Sequence, residues 1–327
     1  MIEKRIMSGM RPTGKLHLGH LVGVTDNWLK FQEENECFFE IADWHAMTDR
    51  SDYSAIKRNI FELTKDWLAL GIDPNKSTIF IQSFVPEHAV LYTIFSMMTS
   101  VSRLQRSPVY KDRIAGESTI KNPTIGLLGY PILQAADIAL YKGTHVPVGK
   151  DQAPHIELTR EVIRRFNGLY KEIFPEPQTI LTENPRLIGI DGRKMSKSYG
   201  NFISPGDSIE TLEGKTREMI TDPNKVRKND PGNPEICNVY SIHAIYNPNR
   251  SIVYNECVSG ERGCVDCKAH LAKVLGDYFK SFREKREFYD NHHETVREVL
   301  FDGSNKARRI AISTLDEVRD AIGIGTL

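Results

Sequence analysis

The chain has no run of 18 or more uncharged apolar residues, so no segment reads as a membrane-spanning helix. Its first residues, Met1-Ile2-Glu3-Lys4-Arg5, form no apolar stretch of the kind that directs export, and the expected location is cytoplasmic. Nor is there an excess of charge of either sign, because 43 Lys plus Arg balance 43 Asp plus Glu. That balance argues against coating nucleic acid through bulk charge, but it leaves room for RNA on a local basic face. Candidate faces are Lys225-Val226-Arg227-Lys228, Lys306-Ala307-Arg308-Arg309 and the stretch from Arg103 to Arg113, each of which equally suits a solvated surface. Internal repeats and low-complexity segments are absent.

Cysteine is scarce but not scattered. Of five cysteines, four (Cys237, Cys257, Cys264 and Cys267) fall within one 31-residue stretch, spaced Cys-x19-Cys-x6-Cys-x2-Cys. Thiols in the cytoplasm are kept reduced, so such an array points to a metal cage rather than to disulfides, and four thiolates suit either zinc or an iron-sulfur cluster. Cys37, in Glu36-Cys37-Phe38-Phe39, reads as an ordinary buried strand residue.

With 327 residues, 40% hydrophobic and 26% charged, the chain can bury a sizeable core in one large domain plus a smaller one. Ile6 to Gly9 is a short apolar segment that breaks into a Gly/Pro turn, and Leu21, Val22, Val24, Trp28 and Leu29 then recur at helical spacing. Cys37 to Ala42 reads as a strand interrupted only by Glu40, Ser54 to Leu70 as an amphipathic helix closed by Gly71, and Ser77 to Gln82 as a buried strand. The pattern continues with helices over 88–101, 129–141 and 155–166 and a strand at Val146-Pro147-Val148. Alternation of this kind predicts an α/β, Rossmann-like doubly wound parallel sheet, with ligands at the carboxyl ends of the strands. From Pro205 onward strand signals nearly vanish and helices are expected over 207–220, 239–245, 267–282, 294–300 and 305–321. The expected division is an α/β catalytic domain over 1–200 and an all-helical domain over 201–327.

Two motifs carry chemistry. Lys194-Met195-Ser196-Lys197-Ser198 follows the turn Asp191-Gly192, and His17-Leu18-Gly19-His20 follows Arg11-Pro12-Thr13-Gly14 at a predicted helix start. Two mobile ammonium groups and two imidazoles at a helix start suit the triphosphate of ATP while charge moves onto departing pyrophosphate. A specific pentapeptide arises by chance in a chain of this length only about once in ten thousand, so the pair in this order is a strong signal.

In these residues the chain resembles the class I aminoacyl-tRNA synthetases, and among them the tryptophan-specific branch. His17-Leu18-Gly19-His20 is similar to that family's HIGH motif, and Lys194 to Ser198 matches its KMSKS loop letter for letter. Val146 to Gln152 with His155 to Arg160 resembles the nucleotide-side segment, while Ala42 to Ala46 and Tyr130 to Asp137 resemble the amino-acid pocket. The resemblance implies attack of an amino-acid carboxylate on the α-phosphorus of ATP, then transfer of the acyl group to a ribose hydroxyl of tRNA. A carboxylate is ionised at neutral pH, so the enzyme's work is alignment and charge stabilisation rather than nucleophile generation.

The resemblance assigns Lys194, Lys197, His17 and His20 to catalysis, and Arg11, Pro12, Thr13, Gly19, Gly149, Lys150, Asp151, Leu187, Met195, Ser196 and Ser198, with His20, Lys194 and Lys197 again, to the nucleotide. It assigns Met7, Gly9, His45, Gln134, Asp137, Ile138, Val146, Val148 and Gln152 to L-tryptophan, with Asp137 as acceptor for the indole N–H. An anionic acceptor favours tryptophan because phenylalanine would leave it unpaired; a surface carboxylate is the plain alternative for Asp137, but its neighbours are apolar. Magnesium is expected to arrive on ATP, tRNA(Trp) and a second copy of the chain in a homodimer are the implied macromolecular partners, and no membrane is involved. The cysteine array resembles a subset of this branch whose helical domain holds a 4Fe-4S cluster, with zinc as the alternative. Arg11, His20 and Gln134 stand where many relatives carry Gln, Asn and Met. Tyrosine activation, or a non-catalytic RNA-binding protein of the same descent, are the rival functions.

Overall fold

A computed structural model describes residues 4–48, 53–115, 120, 122–149, 152–181 and 187–325. The apolar segment around Met7 forms β1 (Arg5–Met10), and Cys37 lies in β2 (Glu36–Ile41), followed by β3 (Ser77–Ile81), β4 (His145–Val148) and β5 (Gln178–Leu181). These strands form one parallel sheet in the order β3-β2-β1-β4-β5. The chain winds outward from β1 in one direction to β3 and in the other to β5, so the topology switches between β1 and β4, where a doubly wound sheet opens its crevice. The Rossmann-like α/β expectation is met. The strand β5 carried too weak an apolar signal to be foreseen: its residues are only half-buried or exposed.

Helices cover both faces. Trp28 on α2 (Asp26–Glu34) stacks on Phe39 of β2 at 4.3 Å and meets Trp67 of α4 (Ile56–Leu70) edge-on at 4.9 Å, all three fully buried. The indole N–H of Trp28 donates to Ser8 Oγ at 3.1 Å, which removes the penalty of burying it. Gly71, at φ +106°, closes α4 in the left-handed conformation. On the opposite face α5 (Glu87–Ser96), α8 (Ile125–Leu140) and α9 (Ala153–Leu169) enclose Phe38, Phe80, Tyr141, Ile156 and Phe166. The helix expected over 88–101 stops at Ser96, and a separate α6 (Val101–Gln105) begins after a turn at residues 97–100.

After Gly200 the described residues are helical: α10 (Ile209–Glu218), α11 (Asn238–Tyr246), α12 (Arg250–Val258), α13 (Cys264–Tyr278), α14 (Lys280–Asn291) and α15 (His293–Ile322). The two helices expected over 294–300 and 305–321 are one, with Asp302-Gly303-Ser304 inside it. The reason is tertiary. Gly303 lies against the free edge of β3, where an added Cβ would stand 1.8 Å from Ile79 O, and Ser304 Oγ accepts the Ile81 N–H at 3.2 Å. Thus α15 covers the edge of the sheet, and the glycine that read as a breaker is a point of backbone contact. Gly303→Ala would gain about 1 kcal/mol of helix propensity but must push the helix off the strand. We expect a net loss of about 2 kcal/mol or more, read as a lower urea midpoint.

An ion network ties this helical region back to the sheet. Arg286 on α14 donates to Asp66 of α4 at 2.8 Å and also pairs with Glu62, while Lys65 reaches Asp290 at 2.8 Å. Asp66, buried, also accepts the Leu16 N–H at 3.0 Å, fixing the residue just before His17. Two of the basic clusters are partly consumed by similar pairs, Arg103 with Glu161 at 2.7 Å and Arg308 with Glu87 at 3.1 Å. No helix among the described residues is long and apolar enough to cross a membrane.

Candidate active site

A cleft of about 580 Å³ opens at the carboxyl ends of β1, β2 and β4. Met7, Gly9, Arg11, His20, His45, Gln134, Asp137, Ile138, Val146, Val148, Gly149 and Gln152 all line it, so residues from four segments of the sequence meet in one cavity. Lys150 and Asp151 lie outside the described residues.

At one end stands the histidine turn. His17 precedes a single helical turn, α1 (Leu18–His20), and its N–H is accepted by His20 Nδ1 at 3.2 Å, with the two rings 3.6 Å apart. Gly19 leaves room for the His17 ring, which an added Cβ would crowd at 3.1 Å. The next residues, Leu21–Thr25, form a π-helical turn, a local widening common at functional sites. Burial, then the charge of Lys197, lowers the His17 pKa to about 4, and burial, His17 and Lys197 push that of His20 well down. The unfolded chain takes up a proton at His17 near pH 6.5 but the folded one only near 4, so protonation favours unfolding across that window and not above it. His17→Gln should therefore lose less stability than the parent as pH falls from 6.5 to 4, by up to about 3 kcal/mol, in thermal unfolding across that range.

The lysine loop faces this turn. Lys197 Nζ donates to Gly14 O at 2.9 Å and lies 3.2 Å from Thr13 Oγ1, spanning 183 and 184 residues of sequence. Pro12 is buried beneath the same turn, and the Leu18 N–H donates to Ile203 O at 3.0 Å, a second link between the two motifs. Lys194 is exposed, and its charge reaches His17. Met195 is buried and its N–H donates to Leu187 O at 2.9 Å; Ser196 Oγ accepts the N–H of the exposed Ser198 at 3.3 Å. The loop's shape depends on Asn201, which no motif predicted. Its side chain accepts the Ser196 N–H at 2.8 Å and donates to Asp191 Oδ1 at 2.6 Å and Lys194 O at 3.1 Å. Gly189 accommodates it, since a Cβ there would fall 2.3 Å from Asn201 Nδ2.

At the other end the cleft is floored by buried polar groups. Asp137 Oδ1 accepts from His88 Nδ1 at 2.6 Å and Gln82 Nε2 at 3.0 Å; Oδ2 accepts from His45 Nε2 at 2.8 Å and Gln82 Nε2 at 3.1 Å. Burial opposes its ionisation, but the bonds from His45 and His88 outweigh it and hold the carboxyl below the usual range. His88 continues to Tyr141 Oη at 2.7 Å. Beside Asp137 lies Glu40, 3% exposed, whose pKa burial and the Asp137 charge raise well above the ordinary value. Glu40, Gln82, His88 and Tyr141 were not foreseen, although a lone carboxyl inside the apolar run of β2 was a signal available in the sequence.

The four clustered cysteines approach one another from three elements. Cys237 precedes α11, Cys257 ends α12, and Cys264 and Cys267 open α13. Burial raises Cys267 to about 12 against the opposing charge of Arg262, with Cys237, Cys257 and Cys264 adding smaller upward pushes. Among the described residues no three of these sulfurs lie within 4.8 Å of one another. Gly232 packs on Cys257, where a Cβ would sit 2.6 Å from Sγ. Cys37, in β2, is buried apart from them, its pKa raised to about 12 by burial.

A parallel Rossmann-like sheet, a histidine turn on its crevice and a lysine loop closing from the far side together define a class I tRNA synthetase. The family model for class I tRNA synthetases of the W and Y group matches residues 3–280. The chain is 51% identical to a tryptophan–tRNA ligase of Thermotoga maritima over 98% of this chain and 99% of that one, and 43% identical to one of Aquifex aeolicus over 98% and 100%. Its fold matches a Campylobacter jejuni tryptophanyl-tRNA synthetase solved with ADP and tryptophan, with a TM-score of 0.88, 34% identity and coverage of 98% and 100%. A tyrosyl-tRNA synthetase from Archaeoglobus fulgidus, at 23% identity and a TM-score of 0.66 over 86% and 90%, shares the fold. The chain belongs to the tryptophan–tRNA ligase family.

Proposed function

We propose that the protein activates L-tryptophan with ATP to tryptophanyl-adenylate, releasing pyrophosphate, and then transfers the tryptophanyl group to tRNA(Trp) in the cytoplasm. The observation that carries this reading is the contact of Lys197 with the Thr13-Gly14 turn, which follows the cleft-lining Arg11. It supports a nucleotide site between the two motifs, with the α-phosphate near His17 and His20 and the β,γ-phosphates under Lys194 and Lys197. Arg11, Gly149 and the backbone around Met195 to Ser198 complete that site. Neutral imidazoles at His17 and His20 donate hydrogen bonds without competing for the lysines' anionic ligand, which the lowered His17 pKa supports. Magnesium on the phosphates supplies further charge neutralisation.

The indole ring would lie against Met7, Ile138, Val146 and Val148, over Gly9, with its N–H toward the buried carboxylate of Asp137. His45, Gln134 and Gln152 border that site. Tyrosine would bring a phenol whose O–H both donates and accepts, a different demand on this floor. ATP–pyrophosphate exchange and tRNA charging with tryptophan and with tyrosine test the assignment. Exchange dependent on tryptophan is the expected result, and exchange with tyrosine alone overturns it.

We place the catalytic unit in residues 1–200 and a tRNA-reading helical unit in 201–327, with α15 returning to the sheet. A homodimer is supported by apolar residues left exposed on neighbouring elements, Met97 at 80% and Ile125 at 82%. The cysteine group is proposed as a 4Fe-4S site. What supports a metal there is the donor set, four cysteines brought from three elements, which suits an iron-sulfur cluster, with tetrathiolate zinc as the alternative. Cys237, Cys257, Cys264 and Cys267 would hold the cluster, which would clasp α11, α12 and α13 together. Cys264→Ser should abolish the brown absorbance of anaerobically purified protein and lower its thermal midpoint. Colourless parent protein carrying one zinc per chain overturns the cluster.

A further inference from the structure

The lysine loop is a hairpin. The Met195 N–H donates to Leu187 O at 2.9 Å and the Gly189 N–H to Arg193 O at 2.7 Å, with Ile188 and Lys194 bridged between them. The reversal falls at Gly192, whose φ of +81° suits glycine. Lys194 lies on the second arm, from which the chain runs on to Lys197. The first arm is held from the helical region. Asn238, the first residue of α11, is 8% exposed, and its Nδ2 donates to Gly189 O at 2.6 Å across 49 residues of sequence. One residue further on, Ile190 O accepts the Ile220 N–H at 3.1 Å.

Gly189 is thus gripped at two points: Asn201 fills the space a Cβ would need, and Asn238 holds the carbonyl. Asn238 directly follows Cys237, so the segment that delivers this cysteine to its group also delivers an amide to the loop. That amide is poorly suited to stabilising the fold. Its Oδ1 is buried without a hydrogen-bond partner among the described residues, a cost that an apolar side chain of the same size avoids. Gly189 O also accepts the Gly192 N–H at 3.1 Å, so it would not be stranded without Asn238. What asparagine offers here and leucine does not is a donor aimed at the base of the hairpin.

We infer that Asn238 is a positioning residue for adenylate formation: it fixes the base of the lysine hairpin against α11 so that Lys197 reaches the Thr13-Gly14 turn. This assignment rests on the nucleotide site proposed above. Asn238 touches none of the reacting groups and acts through Gly189 and the arm that carries Lys194. A charge aimed at phosphates loses up to about 100-fold in rate when it is displaced by about 1 Å, so one hydrogen bond at the hairpin's base has a large lever.

Asn238→Leu tests it, because the substitution keeps the size and removes the donor. The variant should unfold at or above the parent's thermal midpoint and bind tryptophan with unchanged affinity, yet form adenylate about 10- to 100-fold more slowly in single turnover. Trypsin should cut the native variant after Lys194 or Lys197 about tenfold faster than the parent, as expected for one hydrogen bond lost from the closed loop. A folded variant that matches the parent in rate and in loop cleavage overturns the assignment. Slower adenylate formation with unaltered cleavage overturns it too, since the effect would then lie elsewhere. Hydrogen exchange on the parent decides the matter should the variant misfold. With tryptophan and a non-hydrolysable ATP analogue bound, amides over 187–196 and over 238–242 should gain protection together, and protection confined to the loop overturns the assignment. Parent protein that neither binds ATP nor exchanges pyrophosphate refutes the nucleotide site itself, a separate failure.

Discussion

Lys197→Ala is expected to slow adenylate formation by about 100- to 1,000-fold while weakening ATP binding by less than about tenfold. Lys197 Nζ rests on Gly14 O and near Thr13 Oγ1, in the turn that follows the cleft-lining Arg11. A charge held there meets the departing pyrophosphate most strongly when negative charge has built up on it, so its contribution falls mainly on the transition state. Its loss also removes one of the charges that depress His17 and His20, letting both imidazoles protonate more readily. That partial compensation is small against a missing lysine at the phosphates. Single-turnover adenylate formation and ATP binding, measured on one preparation, separate the two effects. Equal losses in rate and affinity would mean that Lys197 binds ground state and transition state alike, contrary to the proposed role.

Asp137→Ala is expected to reduce kcat/KM for tryptophan by about 1,000-fold and to erode the preference over phenylalanine, with the KM for ATP within about threefold of the parent. The carboxylate holds His88 Nδ1, His45 Nε2 and Gln82 Nε2, and truncation leaves the buried His88 and Gln82 and the half-buried His45 without their acceptor, at about 1–3 kcal/mol for each buried group. Those groups line or support the amino-acid end of the cleft only, which is why the nucleotide end should be spared. Stability should fall too, so exchange assays are paired with unfolding curves. A folded Asp137→Ala protein that still rejects phenylalanine and tyrosine as the parent does would show that selection resides elsewhere.

Much of the architecture was legible because strand and helix periodicity are local properties. The alternation from Ile6 to Val148, the glycine stop at Gly71 and the helical run after Pro205 needed only neighbouring residues to be read. Where expectation and structure part, a distant partner decided. Gly303 and Ser304 look like a helix break until β3 is laid beside them, and β5 is a strand because β4 offers it a ladder, not because its own residues are strongly apolar. Glu40 is similar: in β2 it is an oddity, and it becomes intelligible only beside Gly9 and Asp137.

The two motifs alone determined the chemistry, since paired lysines and paired histidines in that order have few uses other than steering phosphate charge, and their residue types survive in any readable sequence. Tertiary structure decided everything that depends on distance. It brought Lys197 across 183 residues to Gly14, and it gathered His45, His88, Gln82 and Glu40 around Asp137. Hydrogen bonds act over about 3 Å, and chain order carries no information at that scale until the sheet has set which strands are neighbours.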